Sequence, residues 1–244
     1  MICVMATNVF GKPVTEGTRT ERALEALNNP NVDGKRDVAL AYVRQLKANW
    51  GNGVSTLGIF YNATGETLTF TQENSSYGQI EGPYPTRVQN GQWGAFFHTK
   101  KPVVASGSVG FVVYRVRVSD TTVCNPLIAW SVPWSQVSYN NQAYCDVFDE
   151  GKVDSPEKIY QKMEDVDSRQ YVSIKLGMMV TSQIETGTSP VYEAEFTRED
   201  AYCDVFDEGK VDSPEKIYQK MEDMLQPRRK LQTNKMLKLH YLLN

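Results

Sequence analysis

From Val54 onward the residue pattern changes from helical spacing to short strand-like runs, and this change leaves few folds open to the chain. The runs VSTLGIFYN, ETLTFTQ, TRVQNGQWGAFFHT, SGSVGFVVYRVRV and NPLIAWSVPW are rich in β-branched and aromatic residues. Turn formers such as Ala63-Thr64-Gly65, Gly82-Pro83 and Asn90-Gly91 separate them, which is how strands and their connections read. A further strand is expected over Asn140–Val147, and two more, at about Tyr171–Gln183 and Ser189–Thr197, close the domain. Helices are expected in only three places. Thr18 and Glu21 form a capping box ahead of Ala23, Leu24 and Leu27. The segment Asp37–Trp50 carries Ala39, Tyr42, Val43, Leu46 and Trp50 on one stripe. Ser155-Pro156 opens a short helix that turns Ile159, Tyr160 and Met163 inward. The pattern predicts a mainly β (α+β) chain, a β-sandwich flanked by a few short helices, and disfavours parallel βαβ architecture.

One block is duplicated without a change. AYCDVFDEGKVDSPEKIYQKMED runs from Ala143 to Asp165 and recurs from Ala201 to Asp223. Solenoid repeats diverge and need several units to share a core, so a fold uses this block once. The expected organisation is an upstream extension at 1–4, a sandwich domain at 5–200, and a poorly docked or disordered extension at 201–244. That extension ends in a basic tail with Arg228, Arg229, Lys230, Lys235 and Lys238 and no acid after Asp223.

Charge and cysteines exclude several roles. The net charge is −3 with the basic tail included, so the main body is acidic and nucleic-acid binding is not expected of it. Cys3, Cys124, Cys145 and Cys203 make neither a disulfide framework nor a zinc spacing. No stretch reaches the roughly 18 apolar residues of a transmembrane helix, and the N-terminus does not read as a signal peptide. Cytoplasmic residence is therefore expected, with the Asn62 and Asn74 sequons unglycosylated.

No constellation dictates a reaction. Of the two histidines, His98 ends an apolar strand and reads as structural, while His240 lies in the tail. A hydrolytic use of His98 would need an open polar cleft with a nucleophile in reach. The run Ser106-Gly107-Ser108-Val109-Gly110 is no phosphate loop, and its small residues suit close backbone approach in a sheet. Asp146, Glu150, Gly151, Asp154 and Glu157 stand at calcium-loop spacing. Phe148 occupies a ligand position, however, so strand, turn and capped helix are expected there instead. No metal or cofactor is expected, nor a catalytic residue. Trp130, Trp134, Tyr139 and Tyr144 cluster after an expected turn at Pro126. Trp130 and Tyr144 suit the core, whereas Trp134 and Tyr139 suit either the core or an exposed surface for sugars or lipid head groups.

Several stretches carry a resemblance. MATNVFGKPVT from Met5, YNATGETL from Tyr61, GPYPTRVQNGQWGAFFHT from Gly82, AWSVPW from Ala129 and TGTSPVYEAEFTRED from Thr186 resemble the jasmonate-induced protein family of plants. That resemblance implies a non-enzymatic stress or defence protein induced by jasmonate, wounding or salt, spanning about Met5 to Asp200. The order of ASGSVGFVVY, WSVPW, a short helix and SPVYEAEFT is more distantly similar to the actinoporins, membrane-binding sandwich proteins with flanking helices. This second resemblance implies a phosphocholine site at Val109, Ser131, Pro133, Tyr139 and Tyr160. Trp134 joins these as a candidate for lipid or glycan contact. The chain departs from that pattern at Ser138 and Gln142, where the resemblance implies tryptophans, and at Glu164 and Asp165, where it implies paired tyrosines. Two carboxylates oppose a phosphodiester, so the resemblance supports the fold better than the lipid function. The leading expectation is thus a non-enzymatic stress protein, with lipid- or glycan-binding as its rival and storage as a third reading.

Overall fold

The computed structural model describes residues 8–201. The expectations for 1–4 and for the second copy of the repeat beyond Ala201 lie outside the described residues. Fifteen regular elements follow in order. Strand β1 (Val9–Phe10) precedes helices α1 (Arg19–Asn28) and α2 (Lys35–Trp50), joined by a 3-10 turn. Then come β2 (Ser55–Ala63), β3 (Leu68–Tyr77), β4 (Gln79–Ile80), β5 (Arg87–Val88), β6 (Trp93–Thr99), β7 (Ser108–Arg117), β8 (Val123–Val132) and β9 (Gln142–Asp149). Helix α3 (Pro156–Val166) leads into β10 (Gln170–Lys175), β11 (Met178–Ile184) and β12 (Val191–Arg198).

The strands form two sheets. One has the order β1-β6-β2-β12-β11-β10, with β4 also on β6, and the other β5-β3-β7-β8-β9. Every described pairing is antiparallel except β12 with β2. Period-two alternation sorts the side chains. Phe60, Phe96, Val112, Tyr114, Ile128, Trp130, Cys145, Tyr192 and Phe196 fill the space between the sheets. Leu57, Ile59, Tyr61, Trp93, Ala95 and Phe97 point the other way, under α1 and α2. Val109, Phe111, Val113, Leu127, Ala129 and Tyr144 point outward from the second sheet, toward Ile159 and Met163 of α3. The mainly β sandwich flanked by short helices is therefore the observed architecture. The first copy of the duplicated block supplies β9 and α3.

Local chemistry explains the helices. The Thr18–Glu21 capping box is closed in both directions. Ser155 caps α3 with Pro156 in its first turn, where the missing proline N–H costs nothing. The α2 stripe packs on the sheet, with Ala39 and Val43 buried and the Trp50 ring edge-on to Phe97 at 5.9 Å. Arg36 seals this face through a paired contact with Glu193 at 2.9 and 2.5 Å.

Two expectations needed correction. Tyr171–Gln183 is two strands joined by a two-residue turn, because Leu176 and Gly177 both adopt positive φ (56° and 74°) and reverse the chain. Pro126 makes no turn but lies inside β8, opposite Val147. Lacking an N–H, it leaves the β7–β8 ladder interrupted between Val113/Leu127 and Val116/Cys124. The Asn125 side-chain amide donates to the Tyr114 carbonyl at 3.2 Å in that gap.

Candidate functional site

Among the described residues the two outer faces are covered unequally, since two helices lie over one sheet and α3 alone over the other. At one end of the α3 side, register aligns a row of residues across four strands: Tyr77, Val109, Ser131 and Gln142. Close backbone approach makes this end compact. A Cβ on Gly110 would stand 2.6 Å from the Asn74 carbonyl, and one on Gly107 2.4 Å from the Val132 carbonyl. The expected role of these small residues holds.

Val109 and Ser131 form the buried floor. Tyr160 leans over it from α3, its ring 6.3 Å from that of Tyr77 and edge-on. The 133–141 loop brings Tyr139 to the same place, 67% exposed. Burial, then the Glu164 carboxylate, then Tyr77 and Tyr139 push the Tyr160 hydroxyl up to about 12, so it stays a protonated donor. Gln136 donates to the Pro133 carbonyl at 3.1 Å and to Asn141, which in turn donates to the Glu185 and Gly187 carbonyls, so the loop is tied down at both ends.

Of the expected residues, Val109, Ser131, Tyr139 and Tyr160 converge, and Pro133 begins the loop that carries Tyr139. Trp134 does not join the tyrosines. Its half-exposed ring lies under the Lys100 ammonium, 5.7 Å from the centroid, beside the neighbouring 100–107 loop. Tyr77 was missed, because only the register of β3 against β7 shows that it stands beside Val109. Of the two carboxylates expected to oppose a phosphodiester, only Glu164 faces the tyrosines. Asp165 accepts from Gln161 at 3.0 Å on the exposed side of the helix. Gln142 donates to Asp167 at 3.0 Å.

Helix α3 is held in place by a buried carboxylate. Asp146 accepts from Lys175 at 2.5 Å, Lys162 at 3.3 Å, Tyr144 at 3.0 Å and Ser173 at 3.3 Å. Burial alone would raise its pKa, but the hydrogen bonds from Lys175 and the Val147 N–H bring it below the ordinary carboxylate range. The calcium-loop spacing is used for ion pairs instead: Asp146 and Asp154 both meet Lys162, and Glu150 meets Arg115. Among the described residues no three potential metal ligands converge.

His98 is fully buried beneath this end of the sandwich. Its Nδ1 lies 2.8 Å from the Ser108 hydroxyl and its Nε2 3.0 Å from that of Ser75. Ser108 also meets Thr56 at 2.7 Å. The ring therefore joins β6, β7 and β3 through hydroxyls. Burial lowers its pKa to about 3, so it is neutral. His98 and Ser108 are both fully buried, whereas a hydrolytic site needs an open polar cleft. Among the described residues no helix is long and apolar enough to cross a membrane.

The chain is 35% identical over 191 residues to the 23 kDa jasmonate-induced protein of Hordeum vulgare, covering 76% of this chain and 88% of that protein. Its fold is similar to the crystal structure of the lipid binding protein Nakanori, with a TM-score of 0.72 and 26% identity, over 78% of this chain and all of the other. Residues 5–199 match the model of the Nakanori-like protein family, and the chain belongs to that family.

Proposed function

We propose that this chain is a non-catalytic stress protein that acts by binding the head group of a membrane lipid at the α3 end of its sandwich. The observation that carries this reading is the convergence of Tyr77, Tyr139 and Tyr160 over the Val109–Ser131 floor. Aromatic rings around a small space attract a quaternary ammonium through their π faces. Glu164 adds a negative charge at the same place, while the phenolic hydroxyls can donate to a phosphate oxygen. A zwitterionic choline head group offers both partners. The solved relative described as a lipid binding protein supports this reading, as does the half-exposed Trp134 close by. Stress or defence induction is inferred from the barley relative.

The test is co-sedimentation of the full chain with phosphatidylcholine and sphingomyelin vesicles, beside a glycan array. The expected result is sedimentation with the vesicles, reduced about tenfold by Tyr160→Ala or Tyr77→Ala, each truncation removing roughly 1–2 kcal/mol of contact. A wild-type chain that stays in the supernatant at low salt, or that binds only glycans, overturns the reading.

A further inference from the structure

Beside the tyrosine site stands a loop to which the head-group chemistry gives no task. Residues Lys100-Lys101-Pro102-Val103-Val104-Ala105-Ser106-Gly107 join β6 to β7 and contain two cations and no acid. Pro102, Val103, Val104 and Ala105 are all exposed, Val103 at 102% and Val104 at 52%. Water contact at four successive apolar residues is unfavourable. Val103 is also strained: its φ of 60° lies in the left-handed region, where a β-branched residue is an outlier. Such strain persists only where the surroundings hold it, and here they do. The Ser106 N–H donates to the Val104 carbonyl at 3.0 Å, and the Lys101 N–H to the Ser106 hydroxyl at 3.3 Å. Lys100 reaches back to the Val104 carbonyl at 3.4 Å while covering the Trp134 ring. The base of the loop is locked to the start of the Tyr139 loop, where a Cβ on Gly107 would meet Val132, Pro133 and Trp134 within 3.4 Å. Val137, 98% exposed, extends from that second loop.

We infer that Pro102–Ala105 is an apolar finger that enters the hydrocarbon boundary of the bilayer whose head group the tyrosines hold; this rests on the lipid reading above. The two loops leave the same end of the sheets, so a surface bound at Tyr139 meets Val103 and Val137 as well. Lys101 then stands at the level of the lipid phosphates, where a cation is favoured. A lipid surface fits better than a protein partner, because four small residues are far short of the roughly 800 Å² per partner of a stable protein interface. The head-group site sets which lipid is chosen, and the finger adds affinity that does not depend on the head group.

The experiment uses the full chain with Val103→Asp/Val104→Asp, and Val103→Trp as a reporter. Two measurements are made, co-sedimentation with sphingomyelin vesicles and binding of soluble phosphocholine followed by NMR. The aspartates are expected to lower vesicle binding at least tenfold, since each buried valine adds on the order of tenfold, and to leave phosphocholine binding unchanged. Val103→Trp is expected to fluoresce to the blue on vesicles and to be quenched by lipids brominated on their acyl chains. Vesicle binding by the aspartate variant equal to wild type overturns the finger alone, provided that Tyr160→Ala weakens binding. A wild-type chain that binds neither vesicles nor phosphocholine overturns the head-group reading and the finger with it. Loss of self-association in the aspartate variant, with vesicle binding intact, identifies the loop as a contact between copies and likewise overturns the proposal.

Discussion

Trp130 and Trp134 are four residues apart, yet one is fully buried and the other half-exposed. Trp130 packs its ring 4.6 Å from Phe96, 5.9 Å from Tyr192 and 6.4 Å from Tyr84, with His98 edge-on at 5.3 Å. Trp134 has the Lys100 ammonium over its ring. The difference begins where β8 ends. Up to Val132 the ladder with β7 holds each side chain to one face or the other. At Pro133 that ladder stops, and the aromatics that follow are no longer directed into the core. Residues of one chemical type thus serve two purposes. Those inside the ladder join the sheets, and Trp134 and Tyr139 just beyond it stay exposed to water.

The largest expected effect tests the inner set. Trp130→Ala should destabilise the protein by about 3–5 kcal/mol, because the space between two sheets closes poorly over a lost indole. Urea denaturation measures this, and a loss under about 1 kcal/mol would mean that Trp130 is not central to the core. Next comes His98, which borders Trp130 on one side and the exposed end on the other. Its pKa is about 3 in the folded chain and near 6.5 unfolded. The unfolded chain therefore binds the proton first, so the contribution is complete above about pH 6.5 and is lost as pH falls toward 3. Between pH 7 and pH 5 this amounts to about 2 kcal/mol. His98→Asn should flatten the pH dependence by that amount in denaturation curves at the two pH values. Equal slopes for the two proteins would show that the ring is not held neutral. The smallest effect on stability belongs to Trp134→Ala, expected within about 0.5 kcal/mol of wild type, although vesicle binding should fall. Should that variant unfold early and bind vesicles normally, the two tryptophans would have to exchange roles.

Much of this was legible beforehand, for physical reasons that attach to particular residues. Thr18 with Glu21, and Ser155 with Pro156, mark helix starts because the cap satisfies backbone N–H groups within a few residues of itself. The β-branched and aromatic runs of β2, β6, β7 and β8 mark strands, and they are largely apolar along their length because each is covered on both sides, by the other sheet and by a helix. The Leu176-Gly177 turn was not legible, since leucine rarely adopts positive φ and the apolar run continues through it. Pro126 was misread as a turn because its place in β8 depends on a side chain, Asn125, filling the gap in the ladder. At the site, Val109, Ser131, Tyr139 and Tyr160 were named by resemblance, and their convergence then followed from register and helix docking. Tyr77 carried no signal, because nothing in its own neighbourhood says which strand will lie beside it.

Local sequence, then, determined the elements and their inward faces, since capping, period and turn chemistry act over a few residues. Tertiary structure alone decided which aromatics meet and which stay in water. That depends on pairings such as Tyr77 with Val109 and Val109 with Ser131, between residues far apart along the chain and brought side by side only when the sheet forms. It also decided that Val103 stands strained and exposed, because the geometry of a loop is set by the strand ends and side chains that anchor it.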